Sequence, residues 1–164
     1  MGTPGLDDIV NYLELSDRLG TGGQPRPRHF RVLADAGYSV VVNLATPQPG
    51  RALPREDWLA SQLGMQYVHL PIPWQAPQQA HVDRFLDLMA LFGNEKVFVH
   101  CIKNMRVSAL VYVYRVCRLG VPLRIAESDM LRIWRPDGPW ATLVDSALVG
   151  ACEGLSKSAA DLRL

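Results

Sequence analysis

The sequence is poor in cysteine, nearly neutral in charge and without long apolar runs, and each shortage excludes a class of protein. Its three cysteines, Cys101, Cys117 and Cys152, are odd in number and widely spaced, which excludes a disulfide framework and a zinc-finger ligand set. The 17 basic residues nearly match the 16 acidic ones, so charge gives no case for nucleic acid or an anionic membrane as a partner. No apolar run approaches the roughly 18 residues that cross a bilayer.

The first residues also lack a targeting signal, since MGTPGLDDIVNY is acidic and has no basic stretch followed by an apolar one. We therefore expect a cytoplasmic protein with no membrane segment, no metal and no cofactor. The 164 residues, nearly half of them apolar, are enough for one domain, 1–164, with a substantial core. We expect that core over about 12–152 and a frayed tail over 155–164.

Strand-like and helix-like patterns alternate along most of the chain. Short β-branched runs predict strands, whereas helical spacing bounded by Pro and Gly predicts helices. The predicted strands are 12–15, 18–22, 38–44, 66–70 and 96–100. The predicted helices are 27–36, 55–63, 77–92, 108–120, 122–134 and 138–152. This alternation predicts an α/β fold with a mostly parallel central sheet flanked by helices, in which ligands bind at the carboxyl ends of the strands.

The segment VFVHCIKNMRVSAL, residues 97–110, carries the strongest chemical signal. A buried strand ends at His100, and a six-residue loop from Cys101 to Arg106 leads directly into a helix. Loop amides and a helix N-terminus bind anions, and they also favour the thiolate form of a cysteine. The Arg106 guanidinium can hold a phosphoryl group through two hydrogen bonds. Asn104 tolerates the positive φ that such a tight loop requires, and we expect His100 to orient the loop through a backbone hydrogen bond.

The stretch HCIKNMRVS resembles the HC…R(S/T) signature of the cysteine-dependent tyrosine and dual-specificity phosphatases. The layout from LGTGGQPRPRHFRVLADAGYSVVVNL through IPWQAP to the helical C-terminus is similar to the bacterial branch of that family, over roughly 12–150. The resemblance implies a dual-specificity-phosphatase-like fold and the hydrolysis of a phosphoric monoester through a phosphocysteine. The implied substrate is a phosphorylated protein or a small phosphate ester.

The same resemblance implies a role for each residue of the signature. Cys101 corresponds to the nucleophile, Arg106 to the residue that binds the phosphoryl oxygens, and Ser108 to the hydroxyl that helps the thiolate leave. The phosphate-binding loop between them comprises Ile102, Lys103, Asn104 and Met105.

Two features depart from the family pattern. The usual loop has five residues between Cys and Arg, whereas this one has four, so Arg106 must approach the anion at a different angle. The family usually supplies a general-acid Asp from a loop before the Cys, but residues 71–76, PIPWQA, contain no carboxylate. Gln75 cannot replace it as a proton donor, and loss of a general acid costs on the order of 10²–10⁴ in rate. Asp83, the nearest acid downstream, is predicted to be a solvated charge on a helix.

Four residues outside the loop are candidates for the substrate cleft. Trp74 and Gln75 lie in the segment expected to overhang Cys101, and Gln24 lies in the TGGQP turn. His69 precedes the PIPWQA segment and is a candidate substitute for the missing acid.

Two other functions stay open from the sequence. The missing acid and the displaced arginine favour a pseudophosphatase that binds phosphate with little or no turnover. The four-residue spacing from Cys to Arg also matches a rhodanese-like sulfurtransferase, whose smaller loop cradles a persulfide sulfur.

Overall fold

The protein forms an α/β structure, seen in a computed structural model that describes residues 5–161, with side chains described up to residue 150. A short 3₁₀ helix, Leu6–Asp8, precedes the first strand. The strands in this part of the chain are β1 (Leu13–Ser16), β2 (Leu19–Gly22), β3 (Val40–Asn43), β4 (Gln66–His69) and β5 (Val97–His100). The helices are α1 (Pro27–Asp35), α2 (Glu56–Gln62), α3 (Gln79–Leu91), α4 (Met105–Cys117), α5 (Leu123–Leu131) and α6 (Gly138–Asp161).

The strands form one sheet in the order β1-β2-β5-β3-β4. Only the edge strand β1 is antiparallel to its neighbour in this sheet; the other pairs are parallel, which confirms the predicted α/β fold with a mostly parallel sheet. The central strand β5 ends at His100, which lies between Gly22 of β2 and Asn43 of β3. The carboxyl ends of three strands therefore meet where the cysteine loop begins.

Helices cover both faces of the sheet and bury two separate apolar layers. Because side chains alternate along a strand, Val40 and Val42 of β3 face one layer and Val41 faces the other. The larger layer contains α3, α4 and α6, with α4 buried on nearly all sides. The smaller layer contains α1 and part of α2 around Phe98 of β5. Helix α4, which follows the cysteine loop, is thus anchored in the centre of the molecule.

Several element boundaries differ from the prediction. Helix α4 begins at Met105 rather than Ser108, so Met105 and Arg106 belong to its first turn and not to the loop. The reason is that Asn104 turns the chain straight into the helix and accepts the hydrogen bond of Ser108 N at 2.8 Å. The predicted end of the last helix at about 152 was wrong, because α6 continues to Asp161.

Part of the predicted tail and one cysteine cannot be compared with the structure. Residues 162–164, at the end of the tail predicted over 155–164, lie outside the described residues, as does the side chain of Cys152. Cys101 and Cys117 are both buried, and in the described part of the chain no disulfide joins one to the other. Within 5–161, no helix has both the length and the apolar composition to cross a membrane.

Gly20 of β2 allows the close approach of a buried aromatic ring. A Cβ at this position would lie 2.0 Å from Tyr38 Oη and 2.7 Å from Tyr38 Cζ. Tyr38 is only 2% exposed, and its ring packs edge-on against Phe98 at 5.8 Å. The ring therefore has little room to move aside.

We predict that Gly20→Ala destabilises the protein by about 1–3 kcal/mol, the usual cost of overpacking a core. Urea denaturation followed by circular dichroism measures the difference. Gly150→Ala is the matched control, since a Cβ there meets no atom within 4 Å and alanine favours a helix. A Gly20→Ala protein as stable as the Gly150→Ala protein would show that Tyr38 is not held in place.

Candidate active site

Cys101 lies at the base of a cavity of about 480 Å³ at the carboxyl edge of the sheet. Its side chain is buried, with 1% of the residue exposed. The walls come from the segments that follow β3, β4 and β5. The residues that line the cavity are Thr46, Gln48, Arg51, Pro73, Trp74, Gln75, Cys101, Ile102, Lys103, Met105 and Arg106. The structure therefore places Cys101, Arg106 and the PIPWQA segment around one space.

Asn104 shapes the loop by adopting a left-handed conformation, with φ of 67°. This confirms the positive φ predicted from its residue type. Its side-chain nitrogen donates to Thr21 Oγ1 at 3.0 Å and to the backbone oxygen of Asn11 at 2.7 Å. Asn11 in turn donates from Nδ2 to the Lys103 oxygen at 2.9 Å. Two asparagines far apart in sequence thus clamp the loop, and nothing in the sequence had singled out Asn11.

The TGGQP turn supports the other side of the loop. Gln24 N donates to the Ile102 oxygen at 3.1 Å, and Cys101 N donates to the Gly22 oxygen at 3.3 Å. A Cβ on Gly23 would lie 2.6 Å from the Ile102 oxygen, so only glycine allows the two backbones to approach this closely. Gly22 and Gly23 of this turn therefore contact the cysteine loop directly through their backbone atoms.

Arg106 faces the same cavity from the first turn of α4. It is 5% exposed, and its Cζ lies 5.5 Å from the centre of the Trp74 ring. Among the described residues its Nε is buried and has no hydrogen-bond partner. A buried donor without a partner is costly, and an oxyanion in the cavity would satisfy it. The short loop therefore still directs the guanidinium toward the space beside Cys101.

Trp74 is held by two other tryptophans, and the three form a tryptophan cluster comprising Trp74, Trp134 and Trp140. The Trp74 ring lies 5.3 Å from that of Trp134 and 5.6 Å from that of Trp140. Trp140 Nε1 also donates to the Trp74 oxygen at 3.0 Å. The cluster holds the Trp74 ring against the Arg106 guanidinium. Residues of the C-terminal helical region, Trp134 and Trp140, therefore help to position Arg106. Spacing along the chain gave no signal for this contact.

Ser108 makes local contacts in α4. Its hydroxyl donates to the Met105 oxygen at 3.0 Å and accepts a hydrogen bond from Trp134 Nε1 at 3.1 Å. No hydrogen bond joins Ser108 to Cys101 in the described part of the chain. Its role in helping the thiolate leave stays a prediction, and that role needs a different hydroxyl orientation.

The four predicted cleft residues separate into two pairs. Trp74 and Gln75 line the Cys101 cavity, whereas Gln24 and His69 line a second cavity of about 370 Å³ on the far side of Thr46. His69 Nε2 lies 2.7 Å from the Ala45 oxygen. The physical reason for this separation is that both side chains find polar partners away from Cys101.

No carboxylate side chain from the described residues lines the Cys101 cavity. Asp83 is on the exposed surface of α3, where it accepts a hydrogen bond from Gln79 at 3.0 Å. The same residues contain no group of three or more His, Cys, Asp or Glu side chains placed to hold a metal ion. The described walls of the cavity therefore carry the cationic side chains of Arg51, Lys103 and Arg106 but no acid to protonate a leaving group.

A buried carboxylate, Glu56, lies behind the loop and was not anticipated from the sequence. Its side chain accepts hydrogen bonds from Gln24 Nε2, from Asn43 Nδ2 at 3.3 Å and from Tyr67 Oη at 2.9 Å, and it pairs with His100 Nε2 at 3.2 Å. Burial alone would raise the pKa of Glu56, but the hydrogen bonds and the charge interaction with His100 outweigh it, and the pKa is lowered. Glu56 is therefore an ionised carboxylate inside the protein.

His100 connects this carboxylate to the loop. Its Nδ1 lies 3.3 Å from the Cys101 oxygen, which confirms the expected contact between His100 and the loop backbone. Glu56 itself lies in the charged segment PREDW, residues 54–58, and such a segment is typical of the exposed start of a helix. The left-handed turn at Arg55, with φ of 59°, immediately precedes it, and in the fold Glu56 is buried.

Comparison with known proteins agrees with this geometry. Residues 7–132 match a family model described as "DSP-PTPase phosphatase fused to NAD+ Kinase". The fold is similar to that of a presumed phosphatase of the DUF442 group from Shewanella putrefaciens CN-32. That match has 30% identity and a TM-score of 0.81, and it covers 89% of this chain and 96% of the other. No curated protein matches the sequence.

More distant structures share the fold alone. One is TpbA from P. aeruginosa in complex with pTyr, at 18% identity and a TM-score of 0.66, covering 87% of this chain and 91% of that one. Another is the core catalytic domain of the PP-IP phosphatase SIW14 from S. cerevisiae, at 13% identity and a TM-score of 0.70, covering 84% and 85%.

We predict that Arg106→Lys weakens the binding of orthovanadate by about tenfold or more, the equivalent of losing one hydrogen bond to a charged group. Lysine keeps the charge but not the planar fork that binds two oxygens at once. Isothermal titration calorimetry measures the dissociation constant. Arg51→Lys is the matched control, because Arg51 lines the same cavity from an exposed position, and its effect should be smaller. Equal affinity of Arg106→Lys and wild type would show that Arg106 does not hold the anion.

Proposed function

Because the chain belongs to the family of DSP-PTPase phosphatases, we propose that it hydrolyses phosphoric monoesters with Cys101 as the nucleophile. The observation that carries the proposal is that Cys101 and Arg106 line one cavity, and that Arg106 Nε is buried without a hydrogen-bond partner among the described residues. The start of α4 points at the same space, and a helix N-terminus favours a bound anion and a thiolate.

The reaction has two steps in this proposal. The Cys101 thiolate attacks phosphorus, the bond to the ester oxygen breaks, and a phosphocysteine forms. Water then attacks the phosphocysteine, the sulfur–phosphorus bond breaks, and phosphate leaves. In both steps the Arg106 guanidinium and the loop amides stabilise the negative charge on the phosphoryl oxygens.

The leaving group restricts the substrate. Since no described carboxylate lines the cavity, the ester oxygen must leave largely unprotonated. An aryl oxide tolerates this, because its conjugate acid is comparatively strong, whereas the alkoxide of serine does not. Arg51 and Lys103 add positive charge to the walls and favour anionic substrates. We propose an aryl phosphate, such as phosphotyrosine in a protein or a small aryl ester, as the preferred substrate.

The related structures support phosphate esters in general. TpbA is seen with pTyr, SIW14 is a PP-IP phosphatase, and PTPMT1 is seen with PI(5)P. The choice between a phosphorylated protein and a small ester, and the cytoplasmic location, stay predictions. The absence of an acid in the described cavity walls also favours the second candidate, a pseudophosphatase that binds phosphate without turnover.

We predict slow hydrolysis of para-nitrophenyl phosphate by the wild type and none by Cys101→Ser, measured as released nitrophenolate. Cys101→Ser should keep its affinity for vanadate, because the loop amides and Arg106 remain. Cys117→Ser is the control and should retain activity. If wild type and Cys101→Ser are equally inactive while both bind vanadate, the protein is a pseudophosphatase. Formation of thiocyanate from thiosulfate and cyanide would instead identify a sulfurtransferase.

We also predict that Gln75→Glu raises the rate on an alkyl phosphate more than the rate on para-nitrophenyl phosphate. The new carboxyl group can protonate a poor leaving group, and a general acid contributes on the order of 10²–10⁴ where it is well placed. Gln48→Glu adds the same group elsewhere on the cavity wall and serves as the control. A uniform effect on both substrates, in either variant, would show that protonation of the leaving oxygen does not limit the reaction.

A further inference from the structure

The Cys101 cavity has more room and more positive charge than the proposed reaction uses. Its volume of about 480 Å³ lies within the range of about 300–1,000 Å³ that is typical of sites for whole small molecules. A phosphoryl group held by Cys101 and Arg106 would fill a small part of it. Two further cationic side chains, Arg51 and Lys103, line the remaining space and make no contact that the reaction requires.

The three cations of the cavity lie at two depths. Arg106 is 5% exposed, and Cys101 beside it at the base is 1% exposed. Arg51 and Lys103 line the same cavity but are exposed, so they lie nearer to its mouth. A phosphoryl group bound at the base therefore leaves these two cations facing the rest of the ligand.

Neither of the two outer cations has a partner of its own. The ion pairs between described residues involve neither Arg51 nor Lys103, and no carboxylate from that part of the chain lines the cavity. The whole sequence is nearly balanced, with 17 basic and 16 acidic residues, so this wall departs from the average. Three positive charges also exceed the charge of about −1.5 to −2 that one phosphate monoester carries at neutral pH. A ligand with a second anionic group would complement the cavity better than a simple monoester.

The backbone from which each outer cation extends is anchored. Arg51 N and Ala52 N both donate to the Gln48 oxygen, at 3.1 and 3.0 Å, and close a turn in the segment after β3. The Lys103 oxygen accepts a hydrogen bond from Asn11 Nδ2 at 2.9 Å. Two segments that are distant in sequence thus present their cations to one space from fixed positions.

From these observations we propose that Arg51 and Lys103 are specificity-determining residues that bind a second anionic group, a carboxylate or a phosphate, on a small aryl phosphate ester. The proposal rests on the proposed function, in which Cys101 attacks the first phosphoryl group. A small ester is favoured over a phosphorylated protein because both cations line the cavity wall itself. The second anionic group must therefore enter the cavity together with the phosphoryl group.

The direct test compares phosphonates, which bind like phosphate esters but are not hydrolysed. Phenylphosphonate carrying a carboxylate at the meta or para position is compared with the matching carbamoyl compound, which has nearly the same shape and no charge. Isothermal titration calorimetry with the wild type should show about fivefold tighter binding of the carboxylate in at least one position, the effect of pairing it with exposed cations. Equal affinity for the charged and neutral forms in both positions would overturn the proposal.

Variants assign the preference to the two cations. Arg51→Gln and Lys103→Gln should each lower the ratio of carboxylate to carbamoyl affinity, and the double variant should abolish it. The ratio is the readout because Lys103 belongs to the phosphate-binding loop, and its loss can weaken both compounds alike. Arg118→Gln is the matched control, since Arg118 is an exposed cation that follows the far end of α4 and lies outside the cavity. A loss of preference in Arg118→Gln as large as in Arg51→Gln would assign it to overall charge and contradict the proposal.

A peptide pair tests the alternative ligand, a phosphorylated protein. Each peptide carries phosphonomethyl-phenylalanine, flanked by glutamate in one and by glutamine in the other. Preference for the glutamate peptide without any preference among the small phosphonates would assign the cations to a protein substrate and overturn the proposal. None of these titrations requires turnover. An inactive protein in the nitrophenyl phosphate assay would refute the proposed hydrolysis, whereas equal binding of the carboxylate and carbamoyl compounds would refute the second anion site alone.

Discussion

The left-handed turn at Asn104 is the constraint on which the active-site geometry depends. It ends the cysteine loop and starts α4, so that Arg106 falls in the first helical turn. Most residues other than glycine disfavour this conformation, and asparagine is one of the few that tolerate it. Here it is over-determined, because the Asn104 side chain is bonded to Thr21 and to Asn11 inside the protein. The clamp from the N-terminal segment thus maintains a loop that is formed much later in the chain.

A second consequence of this turn is that the arginine needs support from outside the loop. Because only four residues separate Cys101 from Arg106, Arg106 is the second residue of α4, and its side chain extends from the start of the helix. The tryptophan cluster provides a flat aromatic surface beneath it, with Trp74 backed by Trp134 and Trp140. Cation–π contacts of a partly desolvated guanidinium are worth on the order of 1–2 kcal/mol. The C-terminal helical region therefore supports an arginine whose sequence signature lies elsewhere in the chain.

Two groups of charged side chains lie near the end of β5, one on each side of the loop backbone. The cavity side carries Arg51, Lys103 and Arg106. The interior side carries the ionised Glu56, surrounded by donors and paired with His100. Because His100 lies between Glu56 and the backbone of Cys101, the carboxylate does not face the Cys101 cavity directly. This arrangement allows a buried negative charge close to a cavity that is lined by three cationic side chains.

The sequence by itself determined the parts of this protein that depend on neighbouring residues. The buried β-branched strands, the alternation with helices, the Cys101 loop and the positive φ of Asn104 were all predicted, because periodicity and backbone preference act over a few residues. Only the tertiary structure decided which distant residues complete the site. Asn11, Glu56 and Trp134 reach it through contacts with residues 93, 44 and 29 positions away, respectively. Asn and Glu are mostly exposed in proteins, and a buried Trp can pack in any part of a core. Residue type alone therefore does not identify these contacts, which form only when the sheet order brings the strand ends together.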